Sequence, residues 1–351
     1  MATILDAKRS VERALFGISG VTGVGINWNT LAIRVYVEKL SPAVERVVPR
    51  SIAGFPVEVI VTGAFAARAG NINLPDLYRR VRWRPVYGGV SGGHILMTAG
   101  TIGAVVSDIE SGEMMVLSNN HVFANGTMLQ KPGASVGDAI LQPAWLDAGS
   151  PVDTVATLER WVPLDLEGDN LVDCALARPI SEGMFVPLIV GDAEPDGTLR
   201  CIAVKGTVAA RGGETVHKYG RTTGHTSGEI IDADFTTCIK YSGADPLVFV
   251  DQILACIKVD GGDSGSLLLD DQDRAIGLVV ASARADGVYY AIANKIRNVE
   301  AMLGIEFPDV QDDIYIPGFD AVGDPVGAVS GVPSLVWVAA GVILGAVVSR
   351  R

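Results

Sequence analysis

A chain of 351 residues with 48% apolar side chains is long enough for two or three domains and a sizeable core. Its net charge of −12 argues against a general nucleic-acid binder, because phosphate contacts need a basic face. Aromatics are only 6%, so Ala, Val, Leu, Ile and 41 glycines carry the load, a mixture that predicts many strands and tight turns.

In chain order, Ile4–Phe16 reads as an amphipathic helix, with Ile4, Ala7, Val11, Ala14 and Leu15 at helical spacing and Gly17 as its stop. Strands follow at Gly23–Asn27, Leu31–Val37 and Val57–Val61, and Ser41–Val47 is a short helix with Pro42 at its first turn. Residues 1–68 therefore read as a small α/β domain. Met1–Val21 has charges scattered through it and no apolar run, so no secretory signal is read. Residues 69–94 read as a linker, with Arg79, Arg80, Arg82 and Arg84 around Trp83. Those arginines are either a patch for an acidic partner or groups that pair with the acidic surface of their own chain.

From Gly88 the texture changes to short apolar runs separated by turn signals, with Asp108–Glu113 as a hairpin turn. Long helices do not alternate with these runs, so a barrel or sandwich of antiparallel strands is expected. Asn294–Leu303 is the one late helix, with Asn294 as its cap and Gly304 as its end. Residues 306–331 are rich in Asp, Pro and Gly and read as a second linker. The seventeen residues 332–348 carry no charge, and Gly341 and Gly345 stand at G-x-x-x-G spacing. This segment is either a membrane anchor or a buried terminal element, which makes the expected location cytoplasmic or membrane-associated. The four cysteines lack C-x-x-C spacing and a neighbouring histidine, so no metal and no cofactor are expected. They read most simply as buried thiols, with one or two disulfides open. Oligomeric state is not legible.

The chemistry gathers around Gly261-Gly262-Asp263-Ser264-Gly265-Ser266, set between two apolar runs. Glycines on both sides let a substrate carbonyl approach Ser264 and let backbone N–H groups face an oxyanion. A serine hydroxyl needs a base, and the base needs a carboxylate to hold it. Of four histidines, His121 follows an apolar run and the polar pair Asn119-Asn120, which suits a cleft-facing base at a strand exit; His217, beside a Gly-rich turn, is the alternative. Asp173 sits inside Leu171-Val172-Asp173-Cys174-Ala175-Leu176, where an unpartnered carboxylate would be costly, so a partner is expected.

Ser-Asn-Asn-His-Val, Val-Asp-Cys-Ala-Leu and Gly-Gly-Asp-Ser-Gly-Ser resemble, in this order, the three signatures of chymotrypsin/trypsin-like serine proteases. Gly220–Gly228 is similar to a turn of bacterial streptogrisin-type members, and Leu-Ser-Asn-Asn-His to HtrA-type members. The resemblance covers about residues 95–305. It implies two six-stranded antiparallel β-barrels, about 95–190 and about 200–305. It implies a serine endopeptidase acting on peptide or protein substrate through an acyl-enzyme: Ser264 as nucleophile, His121 as general base, Asp173 as orienting carboxylate. The N–H groups of Gly262 and Ser264 would form the oxyanion hole, and Asp263 would shape that loop. Val279, Val280, Ala281 and Ser282 would pair with substrate backbone and line its pocket. The sequence departs from the animal enzymes at the pocket base, where the count lands on Lys258, and it offers no counterpart to their activating cleavage. Two other readings follow from the same chain: a protease that cuts only its own linkers, and a non-catalytic binding or scaffold protein with a protease fold.

Overall fold

The computed structural model describes residues 3–67, 77–124, 133–242, 244–310 and 312–317. Most strands among them fall in two rings. In the first, Ser91–His94 pairs with Gly100–Thr101, and the chain runs on through Ile102 and Gly103 into Ala104–Asp108. Ala104–Asp108 pairs with Met114–Ser118, which pairs with Ala175–Pro179. Thr154–Trp161 and Ala139–Leu141 follow, and the latter returns to Ser91–His94. In the second ring Thr215–Gly220, Gly224–Lys240, Leu247–Cys256, Val288–Lys295, Ala275–Ala285 and Leu267–Leu269 pair in that order and close on Thr215–Gly220. Every pairing in both rings is antiparallel. The chain is mainly β and is built on two six-stranded barrels.

Strand alternation sets how the barrels meet. Along Met114–Ser118, Val116 points into the first barrel with Ile140, Leu158 and Ala177. Met115 and Leu117 point the other way, into a cluster with Leu267, Leu269 and Leu278 of the second barrel and Val299 and Leu303 of the late helix. That helix spans Ile296–Leu303 and ends at Gly304. Its cap position is Lys295 rather than Asn294, whose side chain is engaged elsewhere.

The N-terminal segment forms the expected helix Ile4–Phe16, capped by Thr3 and Asp6 in a reciprocal pair. Strands Val21–Asn27 and Ala32–Val37 form a hairpin, and helix Pro42–Val47 crosses to Phe55–Val61, parallel to Ala32–Val37. This sheet does not stand apart. Val21–Asn27 pairs antiparallel with Gly224–Lys240, Val24 opposite Thr236, and so extends the sheet of the second barrel.

Two stretches read as linkers carry structure. Ile314–Pro317 is the outer strand of a four-stranded sheet with Thr198–Ala203, Phe185–Ala193 and Val86–Gly88, and Ile316 is buried there. The surrounding Asp, Pro and Gly mask this short period-two signal. Of the linker arginines, Arg79 is fully buried and donates to the carbonyls of Val190 and Gly191, both at 2.6 Å, while Arg82 pairs with Asp153. Residues 332–348 lie outside the described residues, among which no helix is long and apolar enough to cross a membrane. All four cysteines are unbridged, with Cys174 and Cys201 buried.

Candidate active site

His121 lies on the short helix Asn120–Phe123 that follows Met114–Ser118, and Asp173 lies just before Ala175–Pro179, which pairs with that same strand. The pairing brings the two together. His121 Nδ1 stands 2.6 Å from Asp173 Oδ2, and the His121 backbone N–H donates to Oδ1 at 3.0 Å. Asp173 is fully buried. Burial pushes its carboxyl up, but the His121 charge and the bonds from His121 and Tyr241 outweigh this and hold it below the usual carboxylate range. The Tyr241 hydroxyl donates to Oδ2 at 2.6 Å, and its ring meets the His121 ring edge-on. Burial first, and then the Asp173 charge, drive the Tyr241 pKa well up, so it remains a donor. The Asp173 backbone is pinned too: its N–H donates to Asn294 Oδ1 at 2.8 Å, and Asn119 Nδ2 donates to its carbonyl at 2.8 Å.

A His–Asp contact does not by itself mark the site, because each of the four histidines has one. His94 Nε2 stands 3.0 Å from Asp138, His217 Nε2 3.2 Å from Asp273 and His225 Nδ1 2.7 Å from Asp192. His94 also accepts the Leu96 N–H on its other nitrogen. His121 differs in that its aspartate is wholly buried. Its Nε2 has no hydrogen-bond partner among the described residues. With the proton on Nδ1, held by Asp173, Nε2 offers a lone pair.

Ser264 packs where the barrels meet. Its carbonyl accepts the Thr101 N–H at 2.8 Å, and a Cβ on the next residue, Gly265 (φ +94°), would stand 2.2 Å from Ser118 Oγ. Only glycine fits there, three positions before His121 on the facing barrel. Ser264 Oγ donates to the Val280 carbonyl at 3.1 Å. The loop around it is clamped at every turn. Thr222 Oγ1 donates to the Gly261 carbonyl and Thr101 Oγ1 to the Gly262 carbonyl, each at 2.8 Å. No acceptor among the described residues takes the N–H of Gly262 or of Ser264.

Asp263 is buried beneath this loop. Its Oδ1 accepts the N–H groups of Thr222 and Thr223 at 2.8 and 3.0 Å. Its Oδ2 accepts Thr223 Oγ1 and the Asp260 N–H, and the buried Lys218 ammonium stands 3.8 Å away. The turn Gly220–Gly224 thus supplies this carboxylate with partners from within the chain.

The four edge residues separate. Val279 exchanges both its backbone bonds with the loop Gly261–Ser266, its carbonyl taking the Gly265 N–H and its N–H donating to the Ser266 carbonyl, each at 2.9 Å. Its side chain is in the interior of the second barrel. The expectation that Val279 pairs with substrate is therefore corrected: its ladder groups are already used. Val280, Ala281 and Ser282 continue the strand beyond that loop. Lys258 is exposed, and its carbonyl anchors Thr226 Oγ1 at 2.9 Å. Among the described residues no cluster of His, Cys, Asp and Glu could hold a metal ion.

No family model matches this chain, and no curated protein matches it. Among solved structures it is similar to chymotrypsin-like serine proteases. With Thermobifida fusca Protease A it shares 18% identity over 63% of this chain and 97% of that one, at a TM-score of 0.45. With Cellulomonas bogoriensis chymotrypsin the values are 18%, 64%, 99% and 0.45, and with Nocardiopsis protease 17%, 63%, 97% and 0.45.

Proposed function

We propose that the protein is a serine endopeptidase in which Ser264 attacks a peptide carbonyl, His121 Nε2 takes its proton and returns it to the leaving amine, and Asp173 holds the imidazole. The observation that carries this reading is the asymmetry of His121: Nδ1 is bound to a wholly buried carboxylate, and Nε2 has no partner among the described residues. A histidine held this way is oriented as a base rather than as a structural bridge. The unpaired N–H groups of Gly262 and Ser264 would receive the oxyanion, with the Gly261 and Gly262 carbonyls tied back by Thr222 and Thr101. In the acylation step the Ser264 Oγ–C bond forms as the peptide C–N bond breaks, and water then releases the acyl group by the same base. To act on a substrate Ser264 Oγ must first leave the Val280 carbonyl. The Ser264→Ala variant is expected to lose peptide turnover by about four to six orders of magnitude. It should also lose labelling by a fluorophosphonate, and labelling that persists would refute the nucleophile.

A further inference from the structure

One edge of the second barrel is already taken. Ala281–Ala283 pairs on one side with Val288–Lys295, Ala281 opposite Ile292 and Ser282 opposite Ala291. The other side begins where the nucleophile loop leaves the strand at Val279, and the chain's own Phe65–Ala66 lies along it. Ala66 stands antiparallel to Ser282. The same two residues pair in parallel with the end of Gly224–Lys240, and the Ala67 N–H donates to the Lys240 carbonyl at 3.3 Å. Phe65 is the anchor. It is 1% exposed, meets Phe235 edge-to-face at 5.7 Å and belongs to the cluster of Val280, Ala281 and Ala283. Upstream, Gly63 lies against the Arg284 backbone. From Gly63 to Ala66 the segment thus runs past Arg284 and Ser282 toward Val280, whose carbonyl holds Ser264 Oγ. The segment lies on the strand as an extended peptide lies on a sheet edge to which it has been added, here antiparallel.

We propose that Phe65–Ala67 occupies the substrate edge in cis and competes with peptide substrate for it. The proposal rests on the reading of Ser264 as nucleophile and of Val280–Ser282 as the edge that receives substrate. A strand edge pairs with one neighbour at a time. A segment tethered in the same chain acts at an effective concentration of about millimolar, so an incoming peptide must displace it. Ser282 at 8% exposure fits an edge that is covered. The resident strand also indicates what the edge accepts: an extended chain with a small side chain opposite Ser282.

The test is Ala66→Pro, which removes the Ala66 N–H and its fit to the ladder while leaving Phe65 in place. Two readouts are compared. Fluorophosphonate labelling needs the nucleophile but not the edge; kcat/KM for a chromogenic tetrapeptide needs both. The variant should raise kcat/KM about tenfold, with labelling rates within about twofold of wild type. Unchanged or lower peptide turnover with intact labelling would overturn the proposal. If the variant does not label, the wild-type protein decides by hydrogen exchange. When a tetrapeptide aldehyde saturates and inhibits it, the Ala67 amide should lose protection as its bond to Lys240 breaks, and unchanged protection would overturn the proposal. Wild-type protein that does not label at all marks a different failure, that of the nucleophile assignment, and removes the ground on which the proposal stands.

Discussion

Tyr241 and His121 share one oxygen of Asp173, each at 2.6 Å. A donor on that oxygen draws negative charge away from the imidazole while it fixes the carboxylate in place. Tyr241→Phe should therefore lower kcat about tenfold, the order expected for one hydrogen bond to a charged group. An unchanged kcat in this variant would make Tyr241 merely a packing residue. Ser264, His121 and Asp173 could be picked out of the sequence because each stands in a local setting that packing does not explain: a serine among glycines, a histidine after two asparagines, an aspartate in an apolar strand. Tyr241 and Asn294 have no such setting. Their partner lies 68 and 121 residues away, and only the closure of the barrels brings them to it.

The loop Gly261–Ser266 and the turn Gly220–Gly224 are two elements that act as one through Asp263. Four N–H or O–H groups and the Lys218 ammonium converge on that carboxylate, and Lys218 is itself fully buried. An amide at this position would present an NH2 to groups that donate and would leave the ammonium short of its counter-charge. Asp263→Asn should cost about 3 kcal/mol in urea denaturation, the range for breaking a buried ion pair from one side. Labelling of Ser264 should slow in the same variant, because the loop loses its floor; unchanged stability would show that Asp263 is dispensable to the loop. At this scale the long strands were legible from their apolar runs, and the Gly-rich turn from its composition. Val86–Gly88, Ser91–His94 and Ala139–Leu141 were not, since three or four residues are too few to show a period. The position of Asp173 also shortens a strand: pairing starts at Ala175 because the chain before it turns toward His121.

Over the whole molecule, two buried carboxylates join parts distant in sequence. Asp147 of the first barrel takes both Nε and a terminal nitrogen of Arg221 at the second, at 2.6 and 2.5 Å. Asp232 joins the N-terminal sheet to the second barrel by accepting the Ile26 N–H at 2.6 Å, close enough to Gly25 that a Cβ there would overlap it. Burial dominates the Asp232 environment and raises its pKa from 3.8 to about 6. The unfolded chain ionises this group first, so its contribution to stability is complete below about pH 4 and is lost as pH rises through about 6. Relative to Asp232→Asn, which does not titrate, the wild type should lose on the order of 3 kcal/mol between about pH 4 and pH 7. Urea melts of both proteins at the two pH values measure this, and a constant difference between them would contradict it. The same junction has a consequence in time. Val24 finds its partner Thr236 more than two hundred residues later, whereas the first barrel closes entirely within Ser91–Pro179. During synthesis the first barrel can be complete while the N-terminal hairpin still lacks a neighbour, and that hairpin's outer strand stays open until the second barrel emerges. The seam between the beginning of the chain and the second barrel can therefore close only after Thr236 has been made.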